Sequence, residues 1–135
     1  MTAGYSGTPL AKKLGIKPGD NIYIHNAPEN YSALVEPLPE NVSETAKFEE
    51  ADVLHIFTNR RAELEVLLGK FFPAIKRDAA VWVSWYKKAA KLPTEITEDT
   101  VRDVCLPMGF VDIKVCAVDE SWSALKLVIR KELRK

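Results

Sequence analysis

The stretch VDIKVCAVDESWSALKLVIRK, Val111 to Lys131, decides the fold. Apolar residues recur at every second position through Val111, Ile113 and Val115, and again through Leu125, Leu127 and Ile129, the period expected of strands with one face in a core. Only Asp119 to Ser121 stands between the two runs. A parallel return requires a crossover of a dozen or more residues, so the pair has to be an antiparallel hairpin. Val128 is apolar as well, so the second strand is expected to be buried on both faces.

Upstream the pattern is different. The runs DVLHIFT at 52–58 and AAVWVSW at 79–85 are too continuously apolar for half-exposed strands and suit the interior of a parallel sheet. Between them Leu64, Leu67, Leu68 and Phe71 share one face of a helix, expected to start from a Thr58 or Asn59 cap and to end before Pro73. Thr97 is expected to cap a further helix, with Glu98 and Asp99 in its first turn, Val101, Val104 and Cys105 facing inward, and Pro107 and Gly109 ending it. Near the start, Thr8 and Pro9 read as N-cap and first helical position, and Gly15 as the residue closing that short helix. A turn at KPGD leads into a strand over 21–25, after which Pro28 opens a helix through Tyr31, Leu34 and Val35 that Pro37 and Pro39 close. From Glu36 to Ala51 the signals reduce to a short edge strand at 42–46 and a helical turn at 48–51, and the path of the chain is left open. Alternation of strands and crossover helices gives a single α/β domain over residues 1–135, a three-layer sandwich with a mostly parallel sheet and an antiparallel C-terminal hairpin.

Composition narrows the function classes. With 19 basic and 19 acidic side chains in 135 residues the formal charge is zero, so no global field draws the protein to nucleic acid or anionic lipid, and neither is expected as a partner. No run approaches the ~20 apolar residues of a bilayer span and no apolar leader is visible, so a cytoplasmic location is expected. Cys105 and Cys116 form no CxxC and are expected to be buried reduced thiols.

The sheet order together with IKPGDNIYI at 16–24 and MGFVDIKVCAVDESWSALKLVIRK at 108–131 is similar to the class I S-adenosylmethionine-dependent methyltransferase fold, a Rossmann-like sheet. Within that fold, GYSGTPLAKKLGIKPG, VWVSWYKKAAKLPT, ITEDTVRD and KVCAVDESWSALKLVIRK resemble a family of small bacterial proteins of unknown function, over nearly the whole chain. The resemblance implies a fold and a bacterial setting, without an activity or catalytic residues. It also implies where the chain departs from methyltransferases. They place small residues after the first strand, so that backbone can approach the methionine part of the cofactor; here Asn26, Pro28, Glu29 and Asn30 fill that loop. The acid expected to end the second strand has one candidate, Glu44. A degenerate cofactor site and no bound cofactor are therefore expected.

Ligands of open α/β sheets sit beyond the carboxyl ends of the strands, where the strand order reverses. The residues falling there are His25, Asn26, Glu29, Thr58, Asn59, Arg60, Ser84, Trp85 and Lys87, a polar rim around an aromatic and a candidate ligand mouth. Of the two histidines, His55 reads as a satisfied core imidazole and His25 as the functional candidate; without further ligands they make no metal site. Gly4, Ser6, Gly7, Thr8 and Lys12 form a candidate anion nest, with an N-terminal arm folded over the domain as the competing reading. The leading expectation is a non-catalytic module that binds a small anionic metabolite or a protein partner. The alternative is an atypical methyltransferase or other small-molecule transferase using His25, Glu29, Thr58 and Trp85.

Overall fold

One helical turn, α1 (Leu10–Lys13), opens the computed structural model, which describes residues 8–134. Its cap is Pro9, one residue later than expected, because the Pro9 carbonyl accepts the N–H groups of Lys12 and Lys13 and no side-chain cap is needed. Gly15 closes the turn as expected. At φ 76° it donates to the Lys12 carbonyl while Ile16 donates to that of Ala11, the paired bonds of a Schellman motif.

The chain then runs through β1 (Asn21–His25), α2 (Tyr31–Val35), β2 (Ser43–Glu44), β3 (Val53–Phe57), α3 (Arg61–Ala74), β4 (Ala80–Tyr86), α4 (Glu98–Met108), β5 (Phe110–Ala117) and β6 (Trp122–Ile129). The sheet order is β2-β1-β3-β4-β6-β5; β1 to β4 are parallel, and β6 is antiparallel to both neighbours. In the segment left open by the sequence, Phe48, in a 3-10 turn over 48–50, anchors the chain edge-on to Tyr23 and against Phe71.

Two cores flank the sheet. Leu64, Leu68 and Phe71 of α3 with Val101 and Cys105 of α4 cover Leu54, Ile56, Val81, Val83, Leu125 and Leu127. On the other face Leu10 and Leu14, Tyr31 and Val35 cover Ile22, Val53, Phe57, Trp82 and Ala124. Both faces of β3 are therefore buried, which is why that run shows no alternation of polarity. No helix among the described residues is long and apolar enough to cross a membrane.

Several local expectations are corrected. Helix α3 continues through Pro73, and α4 through Pro107, since a proline in the last turn forfeits only its own N–H bond. Gly109 does end α4, at φ 116°, where an added Cβ would stand 2.7 Å from the Phe72 ring. Thr97 caps α4, accepting the Thr100 N–H at 3.2 Å, in a box where the Thr100 hydroxyl accepts the Thr97 N–H at 3.1 Å. At α3 the cap is Arg60, without a side-chain bond, because Thr58 and Asn59 are engaged elsewhere. In the hairpin, a bulge between Asp112 and Lys114 splits the expected apolar face: Val111 pairs with Val128 and Val115 with Leu125, which lie on opposite sides of the sheet. Ile113 and Val115 are exposed on this edge strand.

The edge position also corrects one cysteine. Cys105 is buried and Cys116 only half-buried, and both are free thiols. Burial lifts the Cys105 thiol to about 11 and moves Cys116 in the same direction, against the charges of Lys13 and Lys114. A thiol reagent is expected to label Cys116 first in the native protein and Cys105 only on opening. Equal labelling rates without denaturant would contradict the burial of α4.

Candidate functional site

The parallel strands β1, β3 and β4 end on one side of the sheet, and the loops there are tied to one another. At the end of β1, Asn26 takes the left-handed conformation (φ 60°) and its amide donates to the Phe57 carbonyl at 3.3 Å. His25 Nε2 lies 3.8 Å from a Glu63 carboxylate oxygen, and the other Glu63 oxygen accepts the Thr58 hydroxyl at 2.5 Å. Thr58 Oγ1 also receives the Arg60 N–H at 3.2 Å. Asn59 turns the other way: its Oδ1 accepts the Tyr86 N–H at 2.8 Å and its carbonyl the Glu95 N–H at 2.8 Å. Thus His25, Asn26, Thr58 and Asn59 are brought together across the ends of β1, β3 and β4, while Arg60 and Glu29 are exposed beside them. Glu63 is the member that sequence reasoning missed. Its signal was an acid in the first turn of a helix beginning at the reversal of strand order.

Ser84 is not part of the rim. It is fully buried, and its hydroxyl lies 2.6 Å from His55 Nε2, while Tyr31 Oη lies 2.9 Å from His55 Nδ1. The period-two alternation of β3 and β4 turns both residues onto the α1/α2 face, inward from the loop ends. Burial drives the His55 pKa from 6.5 to about 3, so the imidazole is neutral and donates through one ring nitrogen while accepting at the other. Burial, and then the charge of Glu44, raises Tyr31 far above its ordinary value. The Tyr31 hydroxyl therefore stays protonated. The two histidines lie on neighbouring strands but on opposite faces of the sheet, and no cluster of metal-ligating side chains occurs among the described residues.

On the α3/α4 side, the end of β4 opens into a groove of about 870 Å³. Trp85, Tyr86 and Lys87 line it together with Lys88, Leu92, Ile96 and the first turn of α4. Trp85 itself is 6% exposed, a core residue with one edge on the groove. The Arg102 guanidinium binds Glu98 at 2.6 Å, Asp99 at 3.1 Å and Asp112 at 2.9 Å, one cation against three carboxylates, so this wall stays net negative. Of the candidate anion nest, Gly4, Ser6 and Gly7 lie outside the described residues; Thr8 is exposed, and so is Lys12 on the last turn of α1.

Solved structures share this fold. A methyltransferase from Aquifex aeolicus described as S-adenosylmethionine-dependent superposes with a TM-score of 0.63 at 13% identity, over 89% of this chain and 87% of that one. The N-methyltransferase NodS from Bradyrhizobium japonicum gives 0.58 at 8% identity, over 89% and 92%. A protein from Sulfolobus solfataricus described as a type 11 methyltransferase gives 0.54 at 10%, over 83% and 85%. The fold is methyltransferase-like. No family model and no curated protein matches the sequence.

The cofactor implied by this methyltransferase-like sheet has two ends to satisfy. For the ribose, Glu44 does end β2, exposed and next to β1. The carboxylate end does not fit. Helix α2 is a turn of five residues, the Tyr31 N–H is taken by the Pro28 carbonyl at 3.0 Å, Pro28 has no N–H, and exposed Glu29 would repel an incoming carboxylate. Tyr31 is moreover drawn into the core by its bond to His55, which fixes the loop from below.

Proposed function

We propose that the protein is a non-catalytic binding module on a trimmed methyltransferase-like sheet, holding a small anionic molecule or a partner at the carboxyl edge. The observation that supports this reading is the loop from Asn26 to Tyr31, which offers a carboxylate and a proline where the cofactor of similar folds needs backbone donors. The likeness of the opening GYSGTPLAKKLGIKPG to small bacterial proteins of unknown function belongs to the same proposal.

Calorimetry at millimolar adenosylmethionine is expected to give no saturable heat. One-to-one binding would overturn the reading. A thermal-shift screen over nucleotides and anionic metabolites is the complementary search, since a ligand at 100 times its Kd stabilises by about 2.7 kcal/mol.

A second reading has one observation in its favour. His25, Glu63 and Thr58 cluster at the reversal of strand order, with the carboxylate that accepts the Thr58 hydroxyl 3.8 Å from the imidazole, close enough for charge attraction and longer than a hydrogen bond. In that reading the chain is an atypical methyltransferase or other small-molecule transferase, with His25 as base and Thr58, Glu29 and Trp85 around the substrate. Transfer of labelled methyl groups from adenosylmethionine to any acceptor in a metabolite extract, abolished in His25→Ala, is the result it requires.

A further inference from the structure

The α1/α2 side of the sheet is covered unevenly. The Trp82 indole donates to the Leu14 carbonyl at 3.0 Å and so fixes the end of α1 over β4. Beyond it Lys126, Val128 and Cys116 are left half-buried, while Leu125, Leu127 and Ile129, on the α3/α4 side of the same hairpin, are closed off from water.

What collects on this uncovered strip is positive charge. Lys126 of β6 stands directly opposite Lys114 of β5, and opposite residues of antiparallel strands share a face, where like charges destabilise the pair. Lys17, in the turn before β1, also acts on Lys126, and Lys13, in the last turn of α1, acts together with Lys114 on the Cys116 thiol. Burial and the charges of Lys114 and Lys17 hold the Lys126 ammonium below the usual lysine value. Among the described residues no carboxylate pairs with Lys114 or Lys126. In a chain of zero formal charge this is a local repulsion that nothing on the strip offsets, and an anion seated between the ammonium groups would relieve it.

The surroundings limit the shape of that anion. Lys17 and Lys126 line a cleft of about 170 Å³ that runs toward the starts of β1, β3 and β4, where Asp20, Asp52 and Asp78 stand. Asp52 is bound to Lys76 at 2.9 Å and to the Asn21 N–H at 2.8 Å, and Asp20 accepts the Lys17 N–H at 2.9 Å. This acidic end repels a long polyanion laid along the strip. Trp82, the aromatic paired with Lys126 in register, is fully buried and offers no face on which a nucleic-acid base could stack. A compact occupant with several negative charges satisfies both conditions.

We propose that this strip binds a small molecule carrying a compact polyphosphate group, held by Lys114 and Lys126 with Lys13 and Lys17 at its margins. The site lies near the start of β4, away from the carboxyl edge, so the inference goes beyond the module reading and does not rest on it.

The test uses the full chain, labelled with ¹⁵N, titrated in low-salt buffer with inorganic triphosphate, and separately with orthophosphate and a single-stranded oligothymidine. Triphosphate is expected to shift the amides of Lys114, Cys116 and Lys126 saturably, about tenfold more tightly than orthophosphate, and to weaken steeply as salt is added. Lys114→Gln and Lys126→Gln are each expected to weaken binding by about fivefold or more, with the melting temperature unchanged or raised because each removes half of the like-charge pair. Lys88→Gln, on the far side of the molecule in the loop after β4, is expected to leave binding as it is. No saturable shift with triphosphate would overturn the inference, and so would binding that both strand variants leave intact. Equal affinity for orthophosphate would overturn the polyphosphate class, and tighter binding of the oligothymidine would overturn it by making the occupant a nucleic acid.

Discussion

A chain ending at Glu120 is expected not to fold. The hairpin is not an appendage: β6 lies between β4 and β5, with Ala80 to Tyr86 paired to it on one side and Phe110 to Ala117 on the other. Removing it deletes Trp122, Leu125, Leu127 and Ile129 from the two cores. At about 1.5–3 kcal/mol for each buried side chain this is roughly 6–12 kcal/mol, as large as the whole stability of a typical domain at about 5–15 kcal/mol. The truncation would also leave β4 as a long apolar edge, a template for aggregation. Expression with and without residues 121–135, followed by fractionation and circular dichroism, is the measurement. Leu127→Ala serves as the graded version, with an expected loss of about 2–5 kcal/mol in urea melts. A soluble, cooperatively unfolding protein ending at Glu120 would remove β6 from the core and with it the assigned sheet order.

The second large effect is a loss of stability in mild acid, centred on His55. In the unfolded chain the imidazole takes a proton near its ordinary 6.5, whereas in the fold burial delays this to about 3. Between those values the unfolded state binds more protons, so stability falls as pH falls. It is fully present above pH 6.5 and lost progressively toward pH 3, by about 4–5 kcal/mol in all at 1.36 kcal/mol per pKa unit. Asp112, held low by the Arg102 guanidinium, adds a loss of the same sign further into acid. Urea midpoints at a series of pH values from 7.5 to 4.5 test the effect. The chain is expected to weaken by more than 1 kcal/mol per pH unit below 6. His55→Phe is expected to be less stable at pH 7.5, because the Tyr31 and Ser84 hydroxyls lose their partner, yet nearly flat from pH 6.5 to 5. An equally steep profile in that variant would place the titration elsewhere.

The strands were readable because their evidence is local. The almost wholly apolar run of β3, the alternation of β6 and the four-residue turn between β5 and β6 each state burial or connectivity within a few neighbouring residues. The same holds for Gly15 and Gly109, whose positive φ values mark helix ends, and for the Thr97 cap. The failures are equally physical. Which prolines end a helix depends on how many N–H groups remain to be bonded, and α3 and α4 each tolerate one in the last turn. Ser84 has the composition of a loop-end residue but lies two residues before the end of β4, where the pleat turns it to the core.

What the sequence by itself determined is the class of sheet, its antiparallel closure and the stretches of chain that meet at its carboxyl edge, because periodicity and turn length constrain these directly. The tertiary structure alone decided the chemistry of that edge. Tyr31 meets His55 across 24 positions and His55 meets Ser84 across 29, while Glu63 reaches His25 from a different element, and Arg102 gathers acids from both α4 and β5. Such contacts follow from strand register and helix docking, and these are settled by the packing of two cores at once rather than by the preferences of neighbouring residues.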